Sequence, residues 1–331
     1  SMRSPEHIIL SRTDSIGDMM LTLPLPGFLK HRMRGVRVTF VGSRYTLPVL
    51  RCCAHVDEAI ALEELIDVGD DAAPHRLRKL KADAIVHVFP RREVASWARH
   101  AEIPVRIGTS HRWWHWLTCN HRVPFSRRRS ELHEAQLNIK LLDPFGISEP
   151  VTTDELARFS GFVAPQPDEA VRGLLEPGRA HVILHPLSQG SAVEWGLDRF
   201  RELIALLDPG RYRIIITGTR AEAEVYRKEL GGVGPHVVDA GGKLSLDQLI
   251  TLIGASDALV AASTGPLHIA AACGIKAIGL YSPQPPIHPG RWGPIGAGAR
   301  ALVAQGQGPK GDPQAHIHAI TAAMVREALE R

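Results

Sequence analysis

Two short stretches carry residue types that could do chemistry. The first, Ser263-Thr264-Gly265-Pro266-Leu267-His268, lies between the apolar run Ala258 to Ala262 and the helical segment Ile269 to Cys273. A strand that turns through small residues into a helix aims unpaired backbone N–H groups and the positive end of the helix dipole at one spot, which suits a phosphate. Thr264 adds a hydroxyl donor, Gly265 lets the backbone approach closely, and Pro266 near the first turn gives up no helical hydrogen bond. The second stretch is Ser11 to Gly17 with Asp18 after it, a polar turn with several hydroxyls between the strand-like His7 to Leu10 and a helical pattern over Met19 to Lys30. Asp18 falls at or next to the first helical turn, where the dipole keeps a carboxylate ionised. Plainer readings stand beside both: an ordinary strand-to-helix turn, and a carboxylate that only caps a helix.

Positioning these stretches takes alternating strands and helices. In the first half, Val36 to Val41, a weak Ala59 to Leu62 and Asp83 to Phe89 read as further strands with helices between them, so a parallel sheet is the economical answer. Pro24 and Pro26 should shorten or kink the helix after Asp18. Arg91 and Arg92 follow the Asp83 to Phe89 strand, on the side where open α/β sheets bind ligands. Val105 to Gly108 reads as another strand and His133 to Phe145 as an amphipathic helix. Trp113, Trp114 and Trp116 could stack on sugars or lie at a membrane interface, although one or two of them are expected to anchor their loop in the core. His111 and His115 are spaced i, i+4 without a carboxylate partner, so no metal site is expected.

The stretch Gly146 to Gly178, rich in Pro, Gly, Thr and acids, reads as a linker, with Pro165 to Gly178 as a hinge. Beyond it the pattern is regular: strands at His181 to Leu184, Tyr212 to Thr217, Val237-Val238, Ala258 to Ala262 and Ala277 to Tyr281, with helices between. This predicts an α/β doubly wound domain in each half, residues 1–165 and 166–331, and a terminal helix over 313–331 that packs back on the N-terminal half.

The chain has 331 residues, 44% of them hydrophobic and 22% charged, which supports two well-filled cores and excludes disorder as the dominant state. A net charge of +4 is modest but locally clustered, at Arg91-Arg92 and along Arg122 to Arg129. Local clustering of this kind suits anionic partners and argues against nucleic acid. Four cysteines without C-x-x-C spacing fit reduced thiols in a cytoplasmic protein, whose basic patches could touch the inner face of the cytoplasmic membrane. No G-x-G-x-x-G opens a helix after the first strand, Gly241-Gly242-Lys243 is not a P-loop, and no G-x-S-x-G elbow occurs.

Five segments together resemble the ADP-heptose:lipopolysaccharide heptosyltransferases, glycosyltransferase family nine: RTDSIGDMMLTLP (Arg12 to Pro24), HPLSQGSAVEW (His185 to Trp195), GTRAE (Gly218 to Glu222), GGKLSL (Gly241 to Leu246) and STGPLHIAAACG (Ser263 to Gly274). They stand in the family's order. The resemblance implies a GT-B fold, two Rossmann-like domains facing across a cleft, with donor bound mainly by the C-terminal half and acceptor by the N-terminal half. It implies an inverting glycosyltransferase that needs no cofactor or metal, with ADP-heptose as the donor substrate and a lipopolysaccharide-type glycolipid as acceptor. Asp18 matches the family's catalytic base. The implied donor-binding set is Ser188, Ser191, Trp195, Thr217, Glu222, Lys243, Thr264, Gly265, Pro266 and His268. Candidate acceptor-binding residues are Arg12, Arg91, Arg92, Arg127 and Arg128.

Two positions depart from the family: Val193 stands where a Lys usually precedes the Trp by two residues, and Ser263 where Asp or Asn is usual. Lys243, Arg220 or Arg291 could supply the missing cation. A binding protein of the same fold with weakened transfer is the alternative, and an epimerase of the same shape a third. Turnover with and without an acceptor separates them.

Overall fold

The computed structural model describes residues 3–124, 127, 130–306, 308 and 310–331. The chain divides into two compact units, residues 1–162 and 163–331.

In the first unit β1 (His7–Ser11), β2 (Arg37–Gly42), β3 (Glu58–Ala61), β4 (Ala84–His87), β5 (Val105–Thr109) and β6 (His121–Val123) form one sheet in the order β3-β2-β1-β4-β5-β6, with every neighbouring pair parallel. β1 and β4 are buried along their whole length, as expected of central strands covered on both faces. Their carboxyl ends meet where the strand order reverses, with Ser11 paired to His87, and such a switch point is where a doubly wound sheet opens a crevice. The helix predicted over Met19 to Lys30 is two helices, Ile16–Thr22 and Pro24–Arg32, because Pro24 has no N–H to carry the ladder on. The division between the units falls within the segment read as a linker, whose first part is built into the first unit: Thr153–Ala157 is a helix, Phe159 packs edge-to-face on Phe28, and Phe162 bridges to Cys53.

The second unit repeats this arrangement. β7 (Ala180–His185), β8 (Tyr212–Ile216), β9 (Val237–Asp239), β10 (Ala258–Ala262), β11 (Lys276–Leu280) and β12 (Ala299–Leu302) run β12-β11-β10-β7-β8-β9, again all parallel. The switch point lies between β7 and β10. Three of its helices begin with capping boxes or hydroxyl caps, at Thr219, Ser245 and Thr321, each satisfying an N–H that the helix leaves over. The terminal segment expected as one helix over 313–331 is two, Pro313–His318 and Ala322–Glu330, parted at the Thr321 cap. The second of them packs against the helix Leu197–Leu206 and against β11 of its own unit.

Candidate active site

In the first unit the chain leaves β1 at Arg12, which is 2% exposed and serves as a hub. Its guanidinium forks onto Asp14 (Nε to Oδ1 2.9 Å, Nη2 to Oδ2 3.1 Å) and reaches Asp18 Oδ1 at 3.3 Å and Glu134 Oε1 at 3.4 Å. It also donates to Thr22 Oγ1 and Asn138 Oδ1, each at 3.3 Å. Burial alone would depress the Arg12 pKa, but the three carboxylates outweigh it and the pKa is raised. Ser15 caps the helix by accepting from the Asp18 N–H, and its own hydroxyl donates to Asp18 Oδ2 at 2.5 Å. Both carboxylate oxygens of Asp18 are therefore tethered, one to Arg12 and one to Ser15, while the side chain stays 20% exposed. A carboxyl group fixed in one rotamer yet open to solvent is suited to proton transfer.

Asp14 stood inside the sequence motif but was not singled out, and neither was Glu134. Asp14 had a signal, being two residues from an arginine in the same turn; Glu134 had none, because a Glu in the first turn of a helix reads as solvated until the fold shows it fully buried. Burial, first of all, pushes the Asp14 carboxyl up to about 6; Arg12 opposes this and the negative charge of Asp18 adds to it. As the pH falls through about 6, Asp14 takes up a proton and Arg12 loses its forked partner. An acid limb near that pH is expected in the kcat/KM profile, and Asp14→Asn is expected to abolish it; a profile unmoved by the substitution would detach Asp14 from activity.

The expected acceptor-binding residues are placed differently from one another. Arg12 is buried with its donors engaged. Arg91 pairs with Glu93 at 3.3 Å, and Arg127 donates to Glu134 at 2.8 Å and to the Val88 carbonyl at 3.1 Å. Arg92 is exposed and lies over the Trp113 ring at 4.7 Å. Arg128 lies outside the described residues. Of the three tryptophans, Trp114 is half-buried and packs edge-to-face on His115 at 5.8 Å, and His115 is itself fully buried and bonded to the Thr109 carbonyl at 3.0 Å, whereas Trp113 and Trp116 are exposed.

The second unit holds the strand-to-helix turn expected to meet a phosphate. Thr264 is the N-cap of the helix Gly265–Ala272, with extended backbone and Pro266 in the first turn. Its side chain makes no capping bond, and its Oγ1, buried, has no hydrogen-bond partner among the described residues. A buried hydroxyl left unspent beside the free N–H groups of a helix start is costly unless a ligand meets it. His268 lies one turn on and is buried.

The loops after β7, β8, β9 and β10 follow the carboxyl ends of parallel strands and so share one edge of the sheet. Ser188 donates to the Ala192 carbonyl and to Glu194, and Ser191 donates to the Ser188 carbonyl, so both hydroxyls shape the loop. Gln189 of this loop donates to Thr219. Thr217 contacts His185 Nδ1 at 2.9 Å. Glu222 closes the capping box with Thr219, and Lys243 reaches the Asp239 carbonyl at 3.1 Å. Gly241 is required in its turn, since a Cβ there would sit 1.9 Å from the Tyr226 hydroxyl. Trp195 is a core residue, fully buried, edge-to-face on Phe200 at 4.9 Å and donating its indole N–H to the Ile320 carbonyl at 2.8 Å. Val193 packs against the same core, and with Gly190, Ala192, Glu194, Asp312, Pro313 and Gln314 it lines a cavity of about 340 Å³. Among the described residues no three His, Cys, Asp or Glu side chains gather closely enough to hold a metal ion, and no helix is long and apolar enough to cross a membrane.

A family model described as glycosyltransferase family 9 (heptosyltransferase) matches residues 72–316. Lipopolysaccharide heptosyltransferase 3 of Escherichia coli is 22% identical over 285 residues, 80% of each chain. Among solved structures, a glycosyl transferase family 9 protein of Veillonella parvula superposes with a TM-score of 0.79 at 18% identity, covering 98% of this chain and 96% of the other. The E. coli heptosyltransferase WaaC with ADP gives 0.75 at 22% identity, covering 98% and 99%. These likenesses show that the two doubly wound units form a GT-B fold.

Proposed function

Since this chain belongs to glycosyltransferase family 9, the heptosyltransferase family, we propose that it moves a heptose or closely related sugar from an ADP-sugar to the core of a lipopolysaccharide or a similar glycan, with inversion. The observation that carries this reading is Asp18, an acid tethered through both oxygens at the switch point of the first sheet. Asp18 takes the proton of the acceptor hydroxyl as that oxygen attacks the anomeric carbon and the nucleoside diphosphate departs from the opposite face. Charge developing on the diphosphate is met by Thr264 Oγ1 and by the N–H groups that open the helix Gly265–Ala272, donors already in place before reaction. Arg12 is a positioning residue in this scheme and not an acceptor contact. Residues 1–165 are assigned to acceptor binding and residues 166–331 to the donor. Support for ADP-heptose and a lipopolysaccharide acceptor comes from the E. coli relatives, one named for lipopolysaccharide heptosyl transfer and one solved with ADP.

The test is transfer from ADP-heptose to a lipopolysaccharide inner core, run beside ADP-glucose and UDP- and GDP-sugars; transfer from one of those donors alone would refute the donor assignment. Calorimetry with ADP tests the cradle. Thr264→Val removes a hydrogen bond to a charged group, worth about 1.5–3 kcal/mol, so ADP affinity is expected to fall ~10–100-fold. Unchanged affinity would take Thr264 out of the phosphate site.

Val193 favours a second reading. It packs into the core at the place where the family usually presents a phosphate-binding Lys. A nucleotide-sugar-binding protein with weak transfer would bind ADP well and turn over no acceptor.

A further inference from the structure

The loop and short helix after β5 invert the usual rule of burial. His115 of the helix His115–Thr118 is fully buried, stacked on His87 at 5.6 Å between ring centres and pressed so closely on Gly108 that a Cβ there would lie 2.4 Å from its ring. Thr118 donates to the Trp114 carbonyl at 2.7 Å. Polar residues thus fasten the loop, while Trp113, Trp116 and Leu117 are left 56%, 60% and 61% exposed. Three large apolar side chains presented together on a pinned loop are not collapse left incomplete; they form a surface that has a partner.

Its charge says which partner. From Val105 to Ser130 the sequence holds six arginines and no Asp or Glu. Arg92 lies over Trp113 at 4.7 Å, Arg122 over Trp116 at 4.1 Å, and Arg112 beside Trp114 at 5.7 Å. Among the described residues none of these three arginines has a carboxylate within 4 Å. The Trp116 N–H donates to the Ser110 carbonyl, so the exposed part of that ring is apolar and enters an apolar layer without stranding a donor. Indoles and a leucine at the tip, ringed by arginines without a carboxylate partner, match the headgroup boundary of a bilayer. Single-stranded nucleic acid fits less well: an indole face of Trp113 and of Trp116 is already covered by a guanidinium, and Leu117 offers a base nothing to stack on.

We propose that the Trp113, Trp116 and Leu117 tip with Arg112 and Arg122 docks this protein on an anionic lipid bilayer. Docking needs neither the donor nor the acceptor assigned above, so vesicle binding tests it apart from transfer. The full chain is sedimented with phosphatidylcholine vesicles and with vesicles containing phosphatidylglycerol, at low and high salt. Binding is expected only to the anionic vesicles and is expected to weaken with salt. Arg112→Gln with Arg122→Gln should lower the partition about 30-fold, at about fivefold per arginine near the surface, and Trp113→Ala with Trp116→Ala at least ~10-fold. Trp113, Trp116 and Arg112 are exposed, while Arg122 is half-buried and donates to the Cys119 carbonyl at 2.7 Å, so thermal melting of each variant is measured beside vesicle binding and separates lost docking from misfolding. Equal binding to neutral vesicles, no binding to either, or variants that bind as wild type would each overturn the proposal. Retention of a single-stranded oligonucleotide with the same Trp and Arg dependence, without vesicle binding, would overturn it in favour of nucleic acid.

Discussion

Asp18→Asn is expected to lower turnover by ~100-fold or more, the usual contribution of a positioned general base, with ADP affinity unchanged. The substitution keeps the shape and size of the side chain. An amide oxygen can still accept from Arg12 or from Ser15, so the tether that sets the rotamer survives in part while the capacity to take a proton is gone. The loss should therefore appear in kcat and not in nucleotide binding, which is assigned above to the second unit. Single-turnover transfer and calorimetry on the same preparation would separate the two. Turnover within a few-fold of wild type would mean that the proton leaves by another route, and Asp14, at the same guanidinium, would be the next residue to replace.

Arg12→Met is the second large effect, and it falls on stability as well as on rate. Arg12 is buried and faces Asp14, Asp18 and Glu134, the last of them fully buried. Removing the cation from a buried ion network leaves carboxylates without compensation, a loss on the order of 3–5 kcal/mol. Denaturant unfolding should show it as a lower midpoint, and the loss should be largest at neutral pH. The sign follows from Asp14, whose folded pKa already lies above its unfolded value: the ionised form is disfavoured in the folded state, so stability from this group falls as pH rises from about 4 through about 6. Without Arg12 that fall steepens. Arg12→Lys should recover little, since an ammonium cannot reproduce the fork onto Asp14 together with the contacts to Asp18 and Glu134. A midpoint unchanged in Arg12→Met would show that the network adds nothing to stability.

The sheets were legible because their central strands are near-continuous apolar runs, such as His7 to Leu10 and Ala258 to Ala262, bounded by turn residues. Two of the four edge strands were not: His121–Val123 is short and mostly polar, and Ala299–Leu302 carries Arg300 in its middle. Helix breaks at Leu23 and Thr321 were blurred because apolar periodicity runs through both; only the proline gave notice of the first. At the candidate site, Asp18 and Thr264 could be named because each sits at a strand-to-helix turn that the chain itself spells out. Glu134 and Asn138 reach Arg12 from more than a hundred residues away, and no local pattern encodes such a contact. Trp195 shows the opposite failure. A Trp ending a ligand-binding motif reads as a ligand contact, yet its ring fills the core and its N–H is spent on Ile320.

That last hydrogen bond orders events during synthesis. Trp195 closes the stretch that begins at His185, and its anchor is the carbonyl of a residue 125 positions later. A nascent polypeptide whose ribosome has not yet translated codon 320 holds the His185 to Trp195 stretch without its fastening.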